Sequence, residues 1–247
     1  MDPLIVGLQG LVFDSSAGRA LLPSVLTPDE ITLLLSSVRG RSVRRQKGPL
    51  VPLRRPRSWV RPRDHLLLAI LYRYGLTTEE IGRLLVSDVD LAEETIHIRR
   101  ADGTSHTYPL FLDLVPLCTE WQGVRWVPGS LGSHGRQPRI PPSGEDFLFP
   151  EVRIRAATAG RFRGVTARNI AVILVNAHRI ARLDRPVQAV TPGALRRAIG
   201  AHLVAAGWTP EEVAYHLGLA SEYAPSLDEY RERLRVLAAS RWLARLL

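Results

Sequence analysis

The chain has 247 residues, 45% of them hydrophobic, and a formal charge of +9. Such a length and composition suit one sizeable core and exclude a fibrous or disordered chain, and the longest apolar stretches, LIVGLQGLVF and IAVILV, are too short to cross a bilayer. A single cysteine, Cys118, excludes an intrachain disulfide and a cysteine-built zinc site, and the seven histidines show no pair at ligand spacing. No metal, cofactor or membrane contact is therefore expected, and the chain is read as cytoplasmic.

Residues 1–25 carry no clear helical or strand period and read as an N-terminal extension. At Thr27 the pattern sharpens: Thr27 and Glu30 form a capping box with Pro28 at the first helical position, and Ile31, Leu34, Leu35 and Val38 line one face. A basic insertion loop over residues 39–63 then follows, with ten basic groups and no acidic one. Setting those ten aside leaves 23 basic against 24 acidic groups, so the whole excess of charge lies in this loop. Its basic side chains include Arg41, Arg44, Arg45, Lys47, Arg54, Arg55, Arg57, Arg61 and Arg63, and such a cluster suits a polyanion such as duplex DNA; the plainer alternative is a solvated insertion. All but one of the 33 basic residues are arginine, which favours bidentate phosphate contact.

DHLLLAILYRYG is apolar on most sides and predicts a central helix from an Asp64 cap to a Gly75 stop. Thr77 and Glu80 cap a short helix. TIHIRR, the turn pair Asp102-Gly103, and SHTYPLF predict a β-hairpin. Residues 119–164, rich in Gly, Pro, Arg and Ser, read as loop and turn. Helices return over 166–183, 191–207 and 209–218, the last two parted by a turn at Gly207-Trp208. Ser226 and Glu229 cap an amphipathic closing helix over 226–247. The fold class is thus mainly α with a small antiparallel β-sheet.

This order of elements resembles the catalytic domain of the tyrosine recombinases, the phage-integrase family, over residues 26–247. LTPDEITLLLSSV resembles that domain's opening helix. DHLLLAILYRYGLTTEEIGRLLVSDVDLAEETIHIRR resembles the first block of the family running into its sheet, and NAHRIARLDRPVQAVTPGALRRAIGAHLVAAGWTPEEVAYHLGLAS the second block. The resemblance implies a tyrosine that attacks a DNA phosphodiester, arginines and histidines that stabilise the charge on phosphorus, and a hairpin lysine that protonates the leaving oxygen. It also implies duplex DNA as partner, held on the nucleoid, and a closing helix whose Leu234, Leu237, Trp242 and Leu243 dock on a neighbouring copy or a partner recombinase or, in a monomer, fold back on their own domain.

Transferred to this sequence, the resemblance marks a degenerate site. Thr77 stands where the first arginine belongs, with the family's carboxylate retained as Glu80. Gly193 stands at the histidine position, Arg196 is retained, and Leu219 replaces a His or Trp. The hairpin holds no lysine; Arg99 and Arg100 are offered to phosphate instead, and a guanidinium with a pKa above ~12 is a poor acid. Arg197, beside Arg196, is a further DNA contact. Tyr230 is the positional equivalent of the nucleophile, two residues beyond the usual spacing. The 25 residues ahead of the domain are too few for the separate core-binding domain many members carry. Impaired DNA binder or recombination accessory is the leading reading. A divergent recombinase or invertase acting through Tyr230, and a helix-turn-helix regulator built from residues 191–218, are the alternatives.

Overall fold

The computed structural model describes residues 25–39, 60–100, 102–125, 146–150, 164–219 and 223–239. Most of the extension 1–25, the loop at 40–59 and the chain end at 240–247 lie outside the described residues, and with them Arg41, Arg44, Arg45, Lys47, Arg54, Arg55, Arg57, Trp242 and Leu243.

The described chain is mainly helical with one small sheet, as the sequence predicts. Helix α1 (Pro28–Arg39) opens on the reciprocal pair expected, Glu30 N to Thr27 Oγ1 at 3.2 Å and Thr27 N to Glu30 Oε2 at 2.8 Å. Helix α2 (Val60–Arg73) carries Leu66 to Tyr72, each at most 1% exposed. A helix that is apolar all round has to be surrounded. Accordingly, α2 packs against α1, against α4 (Leu114–Arg125) and against α6 (Pro192–Ala205). It starts one turn before the predicted Asp64 cap, since Pro62 is tolerated in a first turn. Asp64 is instead gripped by Arg63, from Nε at 2.8 Å and Nη2 at 2.5 Å.

Helix α3 (Thr78–Arg83) is capped by Thr77 and Glu80 as expected. The sheet has three antiparallel strands in the order β1 (Val89–Asp90), β2 (Thr95–Arg99), β3 (Ser105–Pro109). Strands β2 and β3 form the predicted hairpin, with Ile96 opposite Tyr108 and Arg99 opposite Ser105. The ladder stops there. Arg100 N donates to Thr104 O at 2.7 Å, so the connection is longer than the two-residue turn expected.

Helix α4 corrects the start of the stretch read as loop, over 119–125; residues 126–145 and 151–163 lie outside the described residues. Pro116 sits in its first turn and Gly123 in its last, and both weigh as breakers in a sequence window. Burial of Leu114, Cys118 and Trp121 on one face overrides them, and Trp121 Nε1 donates to Leu148 O at 2.9 Å. Helix α5 (Ala167–Ala181) lies along α1, and α6 leads through Gly207 (φ +87°) into α7 (Pro210–Leu217). Helix α8 (Leu227–Ala239), capped by Ser226 and Glu229, closes over β3.

Candidate active site

The end of α7 is where the predicted residues meet. Its last carbonyls lie at the negative end of the helix, which attracts cations. Two arginines from distant parts of the sequence take them. Arg196, on α6, donates from Nη2 to Leu217 O at 2.8 Å and from Nη1 to Gly75 O, tying α7 to the end of α2. Arg100, just past β2, donates from Nη2 to His216 O at 2.9 Å and to Tyr108 Oη at 2.8 Å, and its Nη1 lies 3.5 Å from Glu80 Oε2. Arg100 is 2% exposed and its guanidinium lies over the Tyr108 ring.

Gly218 makes this close approach feasible. It ends α7 with φ +66°, and a Cβ there would stand 2.1 Å from Arg100 Nε. That Nε has no hydrogen-bond partner among the described residues.

Tyr230 reaches the same place from the first turns of α8. It is 3% exposed, packed edge-on against Tyr108, Trp208 and Tyr215 and stacked on the ring of His216. Hydrogen bonding fixes the His216 tautomer. Nε2 lies 2.7 Å from Arg73 O, and a carbonyl only accepts, so Nε2 carries the proton and Nδ1 is the acceptor. The Tyr230 hydroxyl therefore donates to His216 Nδ1. Burial lowers the His216 pKa to about 3, helped by the charges of Arg100 and Arg196 and opposed by the bond to Arg73 O. Burial likewise raises Tyr230 well above the ordinary phenol range, with Tyr108, Tyr74 and Tyr215 adding to the rise and Arg100 opposing it. Both groups are neutral at pH 7.

The remaining predicted residues are spread more widely. Glu80 is buried and its Oε2 also accepts from Thr77 N at 2.8 Å, so this carboxylate serves both the cap and Arg100. Thr77 is half-buried as the cap of α3. Leu219 is half-buried against the core. Gly193 is exposed in the first turn of α6, and a Cβ there would lie 3.6 Å from Arg197 Nη1. Arg197 is exposed and has no ion-pair partner among the described residues. Arg99, its side chain 44% exposed, is held by Asp88 Oδ2 at 2.7 Å and Arg83 O at 3.2 Å.

Two residues expected at a DNA surface are instead inside. Arg100 is enclosed as described. Arg63, 3% exposed, spends its fork on Asp64 and on Pro150 O at 3.2 Å. Arg61 is half-buried in the same turn. That turn is the opposite end of α2 from Gly75, across 14 residues or about 21 Å of helix. The junctions of the basic loop therefore lie well away from Arg196.

Sequence reasoning passed over His216, because its two partners lie 14 and 143 residues away and no local pattern marks them. Among the described residues, no group of three or more His, Cys, Asp or Glu is arranged to hold a metal, and no helix is long and apolar enough to cross a membrane.

Helices around a three-stranded antiparallel sheet make the fold of a tyrosine-recombinase catalytic domain. The XerA recombinase shares it, with a TM-score of 0.56 at 18% identity over 90% of this chain and 64% of that one. XerH site-specific recombinase bound to a palindromic difH substrate gives a TM-score of 0.57 at 22% identity, over 92% and 54% of the two chains. The putative integrase/recombinase y4qK of Sinorhizobium fredii is 26% identical over 197 residues, 80% of this chain and 49% of the relative, so the chain spans about half that protein's length.

A profile of the phage integrase family matches residues 57–223, and the chain belongs to that family. The matched segment ends at Tyr223, before α8 and Tyr230.

Proposed function

We propose that this chain is a DNA-binding member of the phage integrase family, acting in recombination or integration as an accessory factor, whose own capacity to cleave a strand is impaired. One observation carries the reading: the donors that remain at the candidate site are committed inward. Arg196 donates to two backbone carbonyls, Arg100 is enclosed with Glu80, and the Tyr230 hydroxyl donates to His216. Thr77, Gly193 and Leu219 supply no cation, and Gly193 and Leu219 no side-chain donor either. Loss of one donor to a developing oxyanion typically costs about 10²–10³ in rate, and although such losses do not multiply, several together leave little catalysis.

Support for DNA as partner comes from the charge of the 39–63 segment and from the fold shared with XerH, which is bound to its difH substrate. In this reading Arg41, Arg44, Arg45, Lys47, Arg54, Arg55 and Arg57, with Arg61, Arg99 and Arg197, meet the phosphate backbone, and the chain works on the nucleoid in the cytoplasm. The helix-turn-helix alternative has weaker support: α7 is eight residues long, shows Glu211 to solvent and carries no Arg or Lys.

Fluorescence anisotropy against labelled duplex across a salt series tests the proposal. Binding that falls steeply with salt, and weakens when the arginines of 40–59 are replaced, is expected. Salt-independent binding, or none, refutes it.

A further inference from the structure

We propose that His216 is a positioning residue for Tyr230, holding its hydroxyl withdrawn from any phosphate, so that presenting Tyr230 to DNA requires His216 to let go. The inference rests on reading Tyr230 as the equivalent of the family's nucleophile.

The arrangement is a chain of three groups: the Tyr230 hydroxyl, the His216 ring and the carbonyl of Arg73. Its direction is set at the far end, because Arg73 O accepts and so leaves Nδ1 as the only acceptor the ring offers to Tyr230. The phenol's one proton is thereby committed. Neither ring nitrogen is left over for a substrate, and the two stacked rings are nearly parallel, at 7°.

His216 is also the most restrained part of the site. Its own carbonyl is taken by Arg100, the next carbonyl by Arg196, and its ring is flanked by Tyr74, Tyr108, Phe111 and Trp208. Tyr230, ringed by Tyr108, Trp208, Tyr215 and His216, reaches them from α8 alone. Helix α8 packs chiefly on β3 near the end of the described chain, and peripheral elements of this kind open before the core does. Release of Tyr230 thus means outward movement of the first turns of α8 against a fixed histidine.

The protein carries its own control. Tyr72 Oη lies 2.7 Å from His202 Nδ1, and His202 Nε2 lies 2.9 Å from Leu26 O, the same three-group chain. Here, however, tyrosine and histidine belong to α2 and α6, in the middle of the core. A change that opens α8 alone leaves Tyr72 enclosed.

The test is nitration by tetranitromethane of the full-length protein at mildly alkaline pH, with each tyrosine followed by peptide mass spectrometry. In the wild type Tyr223, half-buried, reacts while Tyr230 and Tyr72 do not. His216→Gln keeps a donor towards Arg73 O and removes the acceptor for Tyr230; His216→Asn keeps an acceptor near the Nδ1 position. A buried hydroxyl left without an acceptor favours opening, so Tyr230 should react about tenfold faster or more in His216→Gln, with His216→Asn near wild type and Tyr72 unreactive in both. Equal rates for Tyr230 in the wild type and in a folded His216→Gln overturn the proposal, as does wild-type Tyr230 reacting as fast as Tyr223.

Should the variants not fold, nitrogen-15 spectra of the wild type decide. An unprotonated Nδ1 with protonated Nε2 on His216 supports the proposal, and the opposite tautomer overturns it. Duplex binding is read separately, so loss of DNA affinity would sink the proposed function while leaving the nitration result to stand on its own.

Discussion

Replacing Gly218 by alanine tests the arginine clamp quantitatively. Two costs are expected. The first is conformational: φ +66° is the left-handed region, which costs an L-residue roughly 1–2 kcal/mol. The second is steric and electrostatic. The new methyl would sit 2.1 Å from Arg100 Nε and 2.5 Å from its Cδ and Cζ, so the guanidinium must leave Glu80, Tyr108 Oη and His216 O. Removing one partner of a buried ion pair costs about 3–5 kcal/mol. Together these amount to about 4–7 kcal/mol, much of the ~5–15 kcal/mol that holds a typical domain folded.

Gly103 separates the two contributions. It has φ +87° and nothing within 4 Å of where a Cβ would stand, so Gly103→Ala incurs the conformational cost alone. Urea titrations followed by far-ultraviolet circular dichroism should show Gly218→Ala losing several kcal/mol more than Gly103→Ala. Adding Arg100→Ala to Gly218→Ala should cost less than the sum of the single changes, because the two act on one contact. Equal losses at the two glycines would refute the clamp.

The remaining predictions concern pH, charge and association. His202 and His216 are held neutral, their pKa values lowered chiefly by burial to about 4 and about 3 from an ordinary 6.5. Below pH 6.5 the unfolded chain binds more protons than the folded one. Stability should therefore fall as pH drops from about 6.5 towards 4, with a slope of order 1.4 kcal/mol per pH unit for each histidine, and these two groups contribute no slope above pH 7. A urea midpoint that stays flat from pH 7 to 4.5 contradicts this. Replacing Arg41, Arg44, Arg45, Arg54 and Arg55 by alanine should lower the slope of log affinity against log salt by about 0.9 for each phosphate no longer neutralised, and an unchanged slope would remove the segment from the interface. Leu234 and Leu237, expected to face a neighbouring copy, are buried in the chain's own core. Deleting residues 232–247 should therefore leave the mass seen by light scattering unchanged and destabilise the protein; a lower mass would show instead that α8 docks on a second copy.

Local chemistry was legible in the sequence. Thr27, Thr77 and Ser226, each with a glutamate three residues on, form the reciprocal caps expected at the starts of α1, α3 and α8. The apolar run 66–71 identified the central helix, and the alternation of TIHIR and the polar turn after it identified the hairpin. Helix α4 was hidden because Pro116 and Gly123 mask a short helix whose stability comes from burying Trp121 against residue 148.

The site was legible by position only. Arg196, Glu80 and Tyr230 could be placed by the order of elements, and the structure brings Arg196 and Tyr230 to the end of α7, with Glu80 linked to it only through Arg100. What each does there depends on partners far off in sequence. Arg100 reads as an exposed hairpin arginine until Glu80, Tyr108 and His216 are seen around it, and Arg63 as part of a basic loop until Pro150 is. No periodicity encodes such contacts, since each is a product of tertiary packing.

The most direct test of the central claim uses nicked duplexes, which trap a covalent intermediate by letting the cleaved end diffuse away. A pool of them should be incubated with the purified chain at concentrations where anisotropy shows it bound, then resolved on a denaturing gel. The account predicts bound DNA with no protein-linked strand. A linked strand formed by the wild type and absent in Tyr230→Phe would contradict it.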